Sequence, residues 1–324
     1  MPSTTVAASQ SETWSLRLKD AGFWADWAAL VGLIVLVIVF EVANPTFLSA
    51  GNIQSILLGA AILIILSIGQ TFVIATAGID LSIASVMTLG AVVFGQAYSR
   101  GWGLVPSSIL AVGTGGVVGV INGLLVANGK ITDFIVTLGT LSAASGAALI
   151  LAYGKPVTII NTSLLQLSTG GLGVLGWTFI IAAIFAVVAH VTLFHTRFGT
   201  HVLATGGSPE AANATGISTE RIKIAVYTIS GLLAGFGAIL LIARIGAAEP
   251  AANTSFLLNS VAAVVLGGVS LFGGRATIVG PVLGALLLTV LVNGLTLLGV
   301  SQFYQPLSVG IVVVLAALLT RYQR

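Results

Sequence analysis

Long apolar runs separated by short polar joints make up nearly the whole chain. Apolar stretches of roughly span length recur at 27–43, 55–77, 81–99, 104–127, 133–153, 174–195, 223–245, 257–272, 276–298 and 303–320. About twenty such residues, rising about 1.5 Å each as a helix, cross the roughly 30 Å hydrocarbon core of a bilayer. In lipid every backbone polar group must be paired internally, which favours helices. A membrane β-barrel would show short segments of alternating polarity instead of unbroken runs. The pattern predicts an all-α polytopic membrane bundle of about ten transmembrane helices, the eighth of them short. Residues 1–26 are polar and then amphipathic, with Arg17, Lys19, Asp20 and Asp26, and read as a cytoplasmic N-terminal arm ahead of a membrane domain over 27–324. A cleaved signal peptide is not expected, because the apolar segment starts late and runs into Glu41–Pro45 with no small-residue cleavage site.

One joint departs from the rest. Residues 197–223 read RFGTHVLATGGSPEAANATGISTERIK, small, polar and charged between two apolar runs. Ser208 suits a helix N-cap, Pro209 the first helical position, and Glu210 the positive end of the helix dipole. Gly216 suits the left-handed position just past a helix end. The segment therefore predicts a helix of about two turns, too short to be stable in water without something to dock on. A solvated connector and a docking helix for a partner both fit these residues. Ala211, Ala212 and Ala214 would give such a helix a small face.

Composition excludes a soluble fold. The 324 residues are 57% hydrophobic and 6% charged, against about 25% charged in soluble domains, and mean hydropathy is +1.11. A globule of this length must face water with a large share of its residues. The net charge of +3 comes from Lys and Arg at span ends, so it carries no nucleic-acid signal. With ten spans and the N-terminus inside, Arg17, Lys19, Lys130, Arg197, Arg221, Lys223, Arg275, Arg321 and Arg324 fall inside, and Arg100, Lys155 and Arg244 outside. The positive-inside rule favours this orientation, which puts 197–223 in the cytoplasm and 154–173 outside. Trp24, Trp27, Trp102, Trp177 and all five tyrosines fall near predicted span ends, where an interfacial belt would hold them. There is no cysteine, so disulfides and thiolate metal sites are excluded, and the 40 glycines suit close helix packing.

No enzyme constellation is visible. His190, His195 and His201 lack acidic or thiol partners nearby in sequence, and read as interfacial residues. No phosphate-binding GxxxxGK[ST] loop occurs, so no nucleotide cofactor, and no metal or other cofactor, is expected on this chain. Asp80, in AGIDLS between the second and third spans, is the acid of most interest. It suits either a cap on the third span, with Ser82 assisting, or a hydrated translocation path or gate. Asn122, Thr137, Thr140 and Asn293 could hydrogen-bond a hydroxylated solute or hold helices together. Asn122-Gly123-Leu124 and Asn293-Gly294-Leu295 form a weak internal echo. No acid lies well inside a span, so an ion-coupling group is not evident. A secondary carrier driven by an ion gradient is the alternative to a transporter powered through a partner at 197–223.

Several stretches resemble the ribose-type permease family of bacterial ABC importers: GIDLSIASVMTLGA (78–91), NGLLVANGKITDFIVTLGT (122–140), ATGGSPEAANATGISTERIKI (204–224), VAAVVLGGVSLFGGRATIVGPVLGAL (261–286) and NGLTLLGVSQFYQPLSVGIVVVLA (293–316). They run in order from about Phe40 to the C-terminus. The resemblance implies a permease subunit of an ATP-driven importer of a monosaccharide or related polyol, in the bacterial inner membrane. It implies a separate cytoplasmic ATPase subunit, an extracytoplasmic sugar-binding protein and a second permease copy or close relative. It also implies that Gly206, Gly207, Ser208, Pro209, Glu210, Ala211, Ala212, Gly216 and Ile217 form the loop that couples to the ATPase. The candidates for the translocation path are Asp80, Ser82, Asn122, Thr137 and Asn293. One departure stands out: where the family usually has Glu-Leu-Asp before the AAVVLGG run, this chain has Leu257, Leu258 and Asn259.

Overall fold

The computed structural model describes residues 21–251 and 254–320. Of the arm expected over 1–26, residues 1–20 lie outside the described residues, as do Arg321, Tyr322 and Arg324. Thirteen helices are described: α1 (Ala21–Ala43), α2 (Ala50–Ala75), α3 (Ile83–Ser99), α4 (Leu104–Ala127), α5 (Asp133–Leu151), α6 (Thr162–Thr169), α7 (Trp177–His195), α8 (Arg197–Gly207), α9 (Pro209–Ala214), α10 (Thr219–Ile245), α11 (Thr254–Leu266), α12 (Val279–Leu297) and α13 (Gln305–Thr320). Two small antiparallel pairs join them. β1 (Val157–Thr158) pairs with β4 (Ala247–Ala248), and β2 (Gly171–Leu172) with β3 (Leu175–Gly176).

Among the described residues, six helices are long and apolar enough to cross a membrane: α2, α4, α5, α7, α10 and α12. The other four expected crossings fall on shorter apolar stretches, at Ala29–Ala43, in α3, in α11 and in α13. The bundle is therefore a polytopic all-α membrane fold, and helix length by itself does not give ten crossings. Two helix ends differ from the ends of the apolar runs. The first helix begins at Ala21 rather than Trp27, because hydropathy registers where the apolar run starts and not where backbone pairing starts. The expected eighth span at 257–272 ends as a helix at Leu266. Gly267 follows, then Gly268 at φ +79°, and 267–278 continues as turns. Thirteen helical residues reach about 20 Å, short of a full crossing.

Helix α2 is the centre. Within its apolar window 89% of the residues are buried, against 22% in α5 and in α7. The outer helices turn large apolar side chains outward, such as Ile38 and Val42 of α1, Val105 and Ile109 of α4, and Val187 and Val188 of α7. That is the polarity lipid requires, the reverse of a soluble protein.

The tightest packing joins α4 to α10. Gly115, Gly119 and Gly123 recur every four residues and form one stripe on α4. A methyl group on Gly115 would collide with the Gly231 carbonyl, and one on Gly119 with the Tyr227 carbonyl. On Gly123 it would stand 2.6 Å from Ile224 Cα, and on Gly235 2.5 Å from the Ala111 carbonyl oxygen. The two helices run antiparallel with backbones in contact, which is how helices attract in lipid, where burial of apolar surface contributes little. Gly115→Leu should therefore destabilise the purified protein by about 1–3 kcal/mol or more. Gly113→Leu, on the same helix with open space around it, should leave thermal unfolding unchanged. Equal behaviour of the two variants would contradict this packing.

Candidate functional site

The polar segment between α7 and α10 folds into two helices, not one. Thr196 caps α8, its hydroxyl accepting from Gly199 N–H at 3.3 Å. Ser208 caps α9, its hydroxyl accepting from Ala211 N–H at 3.2 Å, with Pro209 in the first turn and Glu210 exposed. Gly216, at φ +87°, closes α9. Its N–H donates to Asn213 O, and Ile217 N–H to Ala212 O, the paired bonds of a Schellman motif. Gly206 and Gly207 belong to the last turn of α8, which the sequence reading missed because its glycines and scattered polar residues conceal the helical period. Ala211, Ala212 and Ala214 do not share a face. Successive helical positions are about 100° apart, so Ala212 turns inward and is buried while Ala211 and Ala214 are exposed.

The end of α8 is seated on the core by backbone. Gly206 is buried with no room for a methyl group, which would strike the Ala75 carbonyl and stand 2.6 Å from Gly274 N. Gly274 N–H in turn donates to Ala75 O at 3.0 Å. Thus three segments meet at one point: the last turn of α2, the last turn of α8, and the Gly273–Gly274 turn between α11 and α12.

Four of the five path candidates form one buried network beyond that point. Asp80 is 3% exposed. Its Oδ1 accepts from Ser82 N–H at 2.9 Å and Ser82 Oγ at 2.6 Å, and its Oδ2 from Ser230 Oγ of α10 at 2.7 Å. Asn122 Nδ2 of α4 donates to Ser82 Oγ at 2.9 Å, and Thr140 Oγ1 of α5 donates to Asn122 Oδ1 at 2.6 Å. Thr137 Oγ1 donates to Asp133 O of its own helix at 2.8 Å with Ile79 O also in reach at 3.2 Å, and Gln70 Nε2 of α2 donates to Asp80 O at 3.1 Å. Tyr227 OH bridges Asp133 Oδ2 and Ile79 O. A carboxylate is tolerable away from water when hydrogen bonds satisfy it. Here five helices are joined through the non-helical Thr76–Ser82 turn. Ser230 and Tyr227 sit in a long, mostly apolar run, and nothing local in the sequence marks them as partners of Asp80 and Asp133.

Asn293 lies elsewhere. Its amide pairs reciprocally with that of Asn52, at 3.0 and 3.1 Å, and it borders a cavity of about 300 Å³. Ser55, Gly59 and Leu63 of α2 line this cavity, with Arg244 of α10, Ser255, Phe256 and Asn259 of α11, and residues of α12 including Thr289 and Thr296. Gly59 stands roughly 24 Å along α2 from Ala75, so the cavity and the α8–α9 segment occupy opposite ends of the central helix. The cavity end is the one held by the β1–β4 pair, which ties the 154–173 segment to the end of α10. Of the cavity residues, Asn259, as a departure from a family pattern, and Asn293 stand out in the sequence. Arg244 registered there only as an outside charge.

Comparison with known proteins agrees with this architecture. The family described as branched-chain amino acid transport system, permease component, matches residues 52–318. The chain is 38% identical over 321 residues to the ribose import permease protein of Bacillus subtilis (strain 168), covering 98% of this chain and 99% of that protein. It is 35% identical over 336 residues to a fructose import permease protein of Rhizobium meliloti, covering 99% and 93%. It is also 35% identical over 294 residues to an L-arabinose ABC transporter permease protein of Azospirillum brasilense, covering 90% and 86%. No solved structure matches. These matches favour the ABC permease over the ion-driven carrier, and the chain belongs to the ribose-type permease family of bacterial ABC importers, as a multi-pass inner-membrane transport subunit and not an enzyme.

Proposed function

We propose that this permease passes a monosaccharide or related polyol, ribose-like in size, across the inner membrane. Importers of this family work with a separate ATPase subunit and a substrate-binding protein. In this reading a second permease copy completes the pathway, the chain crosses the membrane ten times, and lipid covers the outward apolar faces of α1, α4, α5 and α7. The shorter apolar stretches, at Ala29–Ala43 and in α3, α11 and α13, supply the crossings that the six long helices do not. Turns such as Thr76–Ser82 and Gly267–Ile278 complete them, because non-helical backbone is tolerated at membrane depth when protein surrounds it.

The observation that carries the reading is the seat of the α8–α9 segment. Helix α9 is capped at both ends, exposes Glu210, Ala211 and Ala214, and follows directly from a glycine pressed on the end of the central helix. A push on α9 by the ATPase is delivered through backbone contact to α2 and to the α11–α12 turn, with no flexible side chain between them. The charge distribution supports a cytoplasmic placement of this end. Among the described residues, Lys130, Arg197, Arg221, Lys223 and Arg275 belong to it, and Arg100, Lys155 and Arg244 to the other. In this account the Asp80 network is the latch that keeps α3, α4, α5 and α10 moving together, and the solute path runs past the Asn293 cavity.

Two measurements test this. In proteoliposomes with the ATPase and binding protein, uptake of D-ribose should require ATP. Ala211→Trp, which adds bulk on the exposed face of α9, should abolish both uptake and co-purification of the ATPase. Uptake driven by an ion gradient without ATP, or an unaffected Ala211→Trp variant, would contradict the assignment. Asp80→Asn replaces an accepting oxygen by a donating group, so the Ser230 hydroxyl must turn to accept and its own proton loses its acceptor. It should destabilise the fold by about 1–3 kcal/mol, seen as a lowered thermal midpoint. An unchanged midpoint would remove Asp80 from the latch.

A further inference from the structure

The cavity beside α2 carries a positive charge that the chain does not neutralise. Arg244 lies near the last turn of α10, with its guanidinium above Gly59, where a methyl group on that glycine would stand 3.7 Å from an Arg244 terminal nitrogen. None of the residues lining the cavity is acidic. Among the described residues Arg244 makes no ion pair or hydrogen bond, and the side chains of Ser255 and Asn259, on the facing helix, make none either. The remaining polar groups are already engaged. Asn293 is held by Asn52, and Ser55, Thr289 and Thr296 donate to carbonyls of their own helices. Three unpaired polar side chains, one of them a cation, therefore converge on one space of about 300 Å³, at the small end of the range for ligand sites.

We propose that this cavity takes an anionic, polyhydroxylated solute, a sugar acid whose carboxylate is held by Arg244 and whose hydroxyls meet Asn259 and Ser255. The proposal rests on the importer reading and extends its substrate class from the neutral sugar to the corresponding sugar acid. A guanidinium presents a planar fork of donors that matches a carboxylate in two parallel hydrogen bonds, stronger than bonds between neutral groups. A lone cation suits a single negative charge. A phosphorylated sugar, nearly doubly charged at neutral pH, would ask for a second cation, and the lining has none. The neutral Asn259 is part of the argument. An acid at that position would supply Arg244 with an internal counterion and close the site to an anion.

The test uses the full-length permease in detergent and needs neither ATP nor a partner, so it fails or succeeds apart from the transport assay above. Binding of D-ribonate, D-ribose and D-ribose 5-phosphate is measured by titration calorimetry at low and high salt. D-ribonate should bind about tenfold or more tightly than either of the others, and added salt should weaken it while leaving D-ribose unaffected. Arg244→Gln and Asn259→Asp should each remove that preference, with thermal midpoints confirming that both variants fold, and Arg244→Lys should keep part of it. D-ribose binding as tightly as D-ribonate, a D-ribonate affinity indifferent to salt, or a preference surviving in folded Arg244→Gln would overturn the proposal. Tightest binding of the phosphate would show that the cavity is built for a dianion, and would overturn it too.

Discussion

Backbone-to-backbone contact at glycine is the constraint on which this molecule depends. In lipid, helices gain little by burying apolar surface against each other, so close approach and internal hydrogen bonds must hold the bundle. The stripe at Gly115, Gly119 and Gly123 lets α4 lie against the backbone of α10. The same device recurs where Gly267 meets Gly280 and where Gly284 meets Ala263, clasping α11 to α12. Gly206 repeats it at the functional end of the molecule. A side chain at any of these points would push the packed backbones apart.

With charge almost absent from the interior, the few buried polar residues take on large roles. Asp80 is satisfied by Ser82 and Ser230, and through Asn122 and Thr140 its network reaches two further helices. Two bonds from Ser82 fix the carboxylate within its own turn, those of Ser230, Asn122 and Thr140 tie the turn to three helices, and the carboxylate faces no open water. The cavity at the opposite end is its converse. There Arg244, Ser255 and Asn259 are left without partners inside the chain. Satisfied polar groups specify the fold, and unsatisfied ones at a cavity are available to a solute.

Much of the architecture was legible in the pattern of apolar runs, and the reasons for the exceptions are physical. Helices α2, α4, α5, α7, α10 and α12 follow their apolar runs closely because length and hydropathy measure what the membrane selects. The expected eighth span breaks as a helix at Gly267–Gly268 because hydropathy does not register backbone conformation, and a glycine at φ +79° stops a helix that composition would continue. The cap chemistry of α9 was readable, since Ser208, Pro209 and Gly216 act locally. Helix α8 was not, because its stability comes from the packing of Gly206 and Val202 on distant segments. The partners of Asp80 were hidden for the same reason, as Ser230 is 150 positions away. Asn293 was grouped with the other path candidates by residue type, and only the fold separates it from them.

The central claim is that the seat of Gly206 on Ala75 and Gly274 carries motion from α9 into the bundle. Gly206→Ala tests it most directly. Alanine is the better helix former, so α8 itself should not weaken, and the exposed face of α9 is untouched. The added methyl group must nevertheless force α8 away from the end of α2. ATP-driven solute uptake, measured in proteoliposomes beside co-purification of the ATPase, decides the matter. The account predicts normal ATPase association with uptake reduced several-fold or lost. Wild-type uptake by a folded Gly206→Ala protein would contradict it, and the coupling would then have to run through another contact.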